Sequence, residues 1–155
     1  MLVTEWSRAE NKSSCAALAP DTLGTEGSGA TARRAAFSGG WAVAWDKAGL
    51  PGTAASGDPC TNCGRSAFGV AGTGLTGDTP DQVKALTNNW PNSRDWSDGS
   101  RAGYGPEGGT GPRLLAQLYV QGQACLYNVW SSVSQGHLEL LLDHLRCVNG
   151  AGAPA

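Results

Sequence analysis

The amino-acid sequence predicts an α+β fold, a mostly antiparallel sheet with a C-terminal helix packed on one face. Three observations carry that expectation. Between Ala35 and Trp45, the residues Trp41, Val43 and Trp45 alternate with Ala42 and Ala44, which is the period of a strand. Leu114 to Val120 and Gln123 to Trp130 are apolar runs flanking Gln121-Gly122, a short hairpin turn with glycine where positive φ is wanted. Leu138, Leu141, Leu142, Leu145 and Val148 then recur at helical spacing. A chain of 155 residues suits one domain spanning 1–155.

Taken in order, Thr4-Glu5-Trp6-Ser7 opens a short helix running to about Leu18. Asn11, Ser13 and Ser14 weaken it, because their side chains compete for backbone hydrogen bonds. Pro20 to Ala32 reads as a Gly/Thr/Ser connection, and the strand ending at Trp45 follows it. Asp46 to Pro59 is a Gly/Pro loop delivering Cys60, and a second strand covers Ser66 to Ala71. Thr79-Pro80-Asp81-Gln82 has the form of a capping box with proline at the first helical position, so a helix is expected over 80–87. Asn88 to Pro112 is polar and glycine-rich. Connections of that length carry function or hide a strand, here around Ala102 to Gly105.

With Val120 set opposite Gln123, the hairpin gathers Leu114, Ala116, Leu118 and Val120 on one face with Cys125, Tyr127 and Val129. Gln117, Gln121 and Asn128 fall on the other, so the first face is the buried one. The last helix, His137 to Val148, stops at Asn149-Gly150 and lies across that face. The sheet is assembled from the segments near Trp41, Phe68, Tyr104, Leu118 and Tyr127. The stretch from Leu114 to Val148, a final hairpin followed directly by a helix, resembles the small α/β sandwiches typified by the photosystem II extrinsic protein PsbP and related bacterial envelope domains. That resemblance implies a non-catalytic docking or accessory domain.

A formal charge of -2 and a pI near 5.6 supply no electrostatic footprint for nucleic acid or an anionic membrane. No run approaches the ~18 apolar residues of a membrane-spanning helix. Met1 to Pro20 carries Glu5, Arg8, Glu10 and Lys12, and so lacks the apolar stretch of a signal peptide. Five cysteines nevertheless exceed what a reducing compartment needs. The expectation is a secreted or cell-envelope protein, with a cytoplasmic one as the alternative.

Cys60-Thr61-Asn62-Cys63-Gly64 concentrates the chemical interest. Two thiols at this spacing close a disulfide, share a metal or exchange electrons. Disulfide candidates are Cys60, Cys63, Cys15 and Cys125. Cys125 faces the core of the hairpin and Cys15 lies in a terminal segment that needs pinning, so Cys15–Cys125 is a reasonable bridge. Without metal the protein carries no cofactor. The alternative is zinc held by Cys60, Cys63, His144 and Cys147, the last two one turn apart on the final helix. The redox reading lacks the helix amino terminus that would activate Cys60.

Gly72-Thr73-Gly74-Leu75-Thr76-Gly77 matches the dinucleotide fingerprint, but the next helix begins at Pro80, beyond all three glycines, so the motif reads as a turn. Trp90, Asp95, Trp96, Asp98 and Tyr104 place aromatic rings beside acids, a composition suited to a protein or carbohydrate partner. Asp95-Trp96-Ser97-Asp98-Gly99 lacks the alternating acids of an EF-hand. His137 and His144 are the only histidines, both on the core helix, where boundary packing is the commoner role. No nucleophile elbow or carboxylate pair supports an enzyme. The function expected is a non-enzymatic binding or accessory module with a disulfide-braced loop. The alternatives are an intracellular zinc protein and a small subunit of a larger complex.

Overall fold

The computed structural model describes residues 2–13, 15–35, 39–47, 66–76, 79–107 and 113–148. Cys60, Cys63 and the loop they were expected to brace lie outside the described residues. Within them, seven strands form one antiparallel sheet: β2 (Thr31–Arg34), β3 (Trp41–Asp46), β4 (Phe68–Thr76), β5 (Asn92–Asp95), β6 (Arg101–Pro106), β7 (Leu114–Tyr119) and β8 (Cys125–Ser131), in the order β2-β3-β4-β8-β7-β6-β5. A separate ribbon pairs β1 (Leu18–Pro20) with β9 (Leu145–Cys147). The helices are α1 (Leu2–Arg8), α2 (Pro80–Ala85) and α3 (Gln135–Asp143), and a 3-10 turn, Leu86–Asn89, follows α2. The fold is therefore α+β, with the C-terminal helix on one face of a mostly antiparallel sheet.

Alternation sorts β3 as its pattern requires. Trp41 and Trp45 join the main core, while Ala42 and Ala44 fall in a smaller cluster with Ala71 and Trp130 on the other face. Two indole rings are seated by glycines directly across the ladder. Trp41 stands opposite Gly72 and Trp130 opposite Gly69. A Cβ at either glycine would overlap the indole lying over it. Glycine weakens a strand interior, and here the ring supplies the apolar cover that the missing side chain does not. This changes the reading of the Gly72 to Gly77 motif. Gly72 to Thr76 belongs to β4, with a register shift against β8, rather than to a turn.

The β7–β8 hairpin has the expected faces in a different register. Leu118 pairs with Tyr127 and Ala116 with Val129, so the strands run two residues out of step from a Val120–Gln123 pairing. The connection is longer: Gln123 N–H donates to the Val120 carbonyl and Gly122 takes φ +83°. A two-residue shift preserves side-chain parity, so Leu114, Ala116, Leu118, Val120, Cys125, Tyr127 and Val129 all still join the core.

The helix α2 starts where its capping box predicts. Thr79 Oγ1 accepts from the Gln82 amide, and Gln82 Oε1 accepts from the Thr79 amide. At the amino terminus α1 ends at Arg8, well short of Leu18. Asn11 sends its side-chain amide to the Gly72 and Thr73 carbonyls within β4, and the chain turns there instead of continuing as helix. The last helix is also shorter than its apolar pattern. It is capped by Ser134, ends at Asp143 and buries Leu138, Leu141 and Leu142. Leu145 stays buried from a strand, because β9 leaves the helix to pair with β1, while Val148 is exposed.

Candidate functional site

The end of α3, the β1–β9 ribbon and the β5–β6 turn enclose a cleft of about 410 Å³ above the end of β7. That volume falls in the range of small-molecule sites. Its floor is Leu18, Leu118, Val120, Leu142 and Leu145, and its wall is Trp96 with Asp98 and Ser100. The floor residues are buried core positions, brought together from β1, the end of β7, α3 and β9.

The wall is a hairpin turn built by local chemistry. Trp96 N–H donates to the Ser100 carbonyl at 3.0 Å, and Gly99 N–H to the Trp96 carbonyl at 3.1 Å. Gly99 takes φ +97°, a conformation other residues rarely adopt. Asp98 Oδ1 accepts from the Ser100 amide at 2.8 Å, and Ser100 Oγ accepts from the Gln121 amide at 3.0 Å, tying this turn to the β7–β8 connection. The acids of the 95–99 run thus serve turn geometry, with Asp95 exposed and paired to Arg101 across the hairpin.

Beside the cleft, Arg94 grips both carboxylate oxygens of Asp143, with Nε to Oδ1 at 2.6 Å, locking β5 to the end of α3. Hydrogen bonding to Asp143 holds the Arg94 guanidinium above its ordinary range. Tyr104 lies in the core with its hydroxyl donating to Glu139. Burial pushes the Tyr104 phenol up, the Glu139 carboxylate adds to the shift and Arg94 opposes it. Arg146 turns back on its own chain, donating to the Asp143 and Leu145 carbonyls, with Asp21 3.6 Å from its Nε.

Of the expected ligand surface, the fold brings Trp96 and Asp98 together in the cleft and separates the rest. Trp90 stands on the opposite face of the sheet, over Gly103 and Gly105, its indole N–H donating to Gln117. Asp95 points away to Arg101, and Tyr104 is core. Alternation along β6 explains the split: Ala102 and Tyr104 face the main core, while the two glycines face Trp90 and Pro91. Leu18, Leu142 and Arg146 joined the cleft without any local signal, because their neighbours there are distant in sequence.

The cysteines divide likewise. Cys15 and Cys125 form a disulfide pair with Cα atoms 5.3 Å apart. Around it, Ala16 N–H donates to the Tyr127 hydroxyl at 2.7 Å and Trp6 Nε1 to the Cys15 carbonyl at 2.7 Å, so the terminal segment is held three ways. Burial pushes the Tyr127 phenol well above the ordinary tyrosine range. His144 and Cys147 do not share a helical turn. His144 caps α3 with Nδ1 2.8 Å from Asp21, and Cys147 lies in β9 opposite Leu18. Among the described residues no three His, Cys, Asp or Glu side chains cluster closely enough to hold a metal.

His137 was expected at the helix boundary, and it is a buried bolt. Only 1% of it is exposed, and its ring meets Phe68 edge-on at 4.7 Å. Nε2 lies 2.9 Å from the Leu23 carbonyl, which can only accept, so this nitrogen carries the proton. In the neutral ring, Nδ1 then accepts from the Ser131 hydroxyl at 2.9 Å. A serine beside a histidine suggests nucleophilic catalysis, but Ser131 is 0% exposed and its oxygen also accepts the Val133 amide. The pair ties the 21–30 loop to α3 and β8.

Comparison of the chain with protein families, with curated proteins and with solved structures found no match.

Proposed function

We propose that this protein is a non-enzymatic binding module that takes the apolar body of a small ligand into the cleft between Trp96, Leu118 and Leu142. The observation that carries this reading is the cleft itself. Buried aliphatic side chains from β1, β7, α3 and β9 open onto one cavity of about 410 Å³, beneath an indole on a rigid turn. Concave apolar surface with a few convergent polar groups is the usual form of a ligand site. The disulfide pair Cys15–Cys125 supports a secreted or cell-envelope setting, where such bridges persist.

The test uses the oxidised full chain, labelled with nitrogen-15, titrated with the neutral dye N-phenyl-1-naphthylamine. The reading expects saturable amide shifts concentrated at Leu18, Trp96, Ser100, Leu118, Val120 and Leu142. It also expects a rise in dye fluorescence that Trp96→Ala reduces by about threefold or more, the loss of one aromatic contact. Shifts that scatter over the surface, or none up to the solubility limit of the dye, would overturn the reading.

A further inference from the structure

We infer that the ligand of this cleft is a cationic amphiphile, an apolar tail carrying an ammonium or guanidinium head that sits between Asp98 and Trp96. This rests on the cleft being a ligand site and adds the charge of what enters it. The argument is one of charge accounting around the rim. Three charged residues line the cleft: Asp98, Asp143 and Arg146. Asp143 is neutralised by the two-pronged grip of Arg94. Arg146 is matched by Asp21 and spends its Nη1 donor on the Asp143 and Leu145 carbonyls.

Asp98 differs from both. Its Oδ1 is fixed by the Ser100 amide, and among the described residues no cation pairs with it. The rim therefore presents one uncompensated negative charge. It stands two residues from the Trp96 ring, on the same turn and against the same cavity. A carboxylate beside an indole face is the environment that attracts an organic cation, by Coulomb attraction and by the ring quadrupole together. The aliphatic floor accepts the tail and gains by removing it from water.

The experiment titrates the oxidised full chain with three probes sharing one tail: octyltrimethylammonium, octyl glucoside and octyl sulfate, each below its micellar concentration. Amide shifts at the cleft are read. The ammonium probe is expected to bind about tenfold tighter than the sulfate, with the glucoside between them, and added salt should narrow that lead. Asp98→Asn retains the oxygen that accepts the Ser100 amide. It should bring the ammonium probe down to the glucoside while leaving glucoside affinity unchanged. Equal affinities, a preference for sulfate, or an ammonium preference that survives Asp98→Asn would overturn the inference and leave the cleft as a ligand site. If none of the probes shifts the cleft resonances, the cleft reading and this inference fail together.

Discussion

Breaking the Cys15–Cys125 link should cost this protein a large part of its stability. The bridge joins residues separated by 110 positions, so it closes most of the chain into one loop. Loop-closure entropy for that length comes to about 4.8 kcal/mol at ~25 °C, and native bridges in small domains are worth about 2–5 kcal/mol in practice. The perturbation is reduction of the wild type, with the double variant Cys15→Ala, Cys125→Ala beside it. Reduction keeps the sulfur volume in the core and removes only the link. The double variant also leaves a small void, so the difference between them isolates packing from loop closure. Urea unfolding is followed by tryptophan fluorescence. With a slope of about 2 kcal/mol per molar, the midpoint should fall by roughly 1–2.5 M on reduction. Both cysteines are buried, so the disulfide should become available to reductant only as the amino-terminal segment opens. A midpoint shift below about 0.3 M would refute the reasoning, as would five titratable thiols in denaturant without reductant.

Two further outcomes follow from packing and burial. Gly69→Ala drives a methyl group into the Trp130 ring across the β4–β8 ladder and should destabilise by about 1–3 kcal/mol in the same urea assay, where a glycine replaced in an open strand would be neutral or stabilising. Tyr104 and Tyr127 both ionise above the usual range in the folded state, so unfolded tyrosines release their protons first, from about pH 10. Their contribution to stability is therefore complete below about pH 10 and is lost as pH rises beyond it. Ultraviolet titration of phenolate should show Tyr127 resisting ionisation well beyond the usual tyrosine range and Tyr104 delayed in the same direction, and reversible ionisation of both near pH 10 would contradict the burial.

Local pattern made much of this architecture legible. The period of β3, the facing apolar sets of β7 and β8, the capping box of α2 and the leucine stripe of α3 are each written within fewer than twenty consecutive residues. They survived even where detail moved. The β7–β8 register slipped by two residues, yet every core side chain kept its face, because parity along a strand depends only on even shifts. Cys15–Cys125 was within reach for a related reason: one partner faced the core of the hairpin and the other lay in a terminal segment whose sequence called for pinning.

Other features answer to neighbours far away in the chain. Residues 145–147 continue the helical leucine spacing, but they form a strand because β1 offers a ladder more than a hundred residues earlier. That departure removed the His144–Cys147 turn expected of a zinc site and opened the cleft beside Leu145. The glycine-rich run after Ala71 looked like a turn, because glycine is most often read as punctuation. Trp41, supplied by the adjacent strand, makes Gly72 a packing position within β4. The aromatic and acidic residues between 90 and 104 shared a composition, and the fold set Trp90 over Gly103 and Gly105 on one face of β6 while Trp96 packs against the main core with Tyr104.

By itself, then, the sequence determined the faces of β3, β7 and β8, the start of α2 and the core stripe of α3, since side-chain periodicity and capping are short-range properties. Only the tertiary structure decided which side chains share the cleft and which charge on its rim lacks a counterpart. Cavities and ion pairs are made by non-local approach, and a linear pattern records no distance between Asp98 and Leu142.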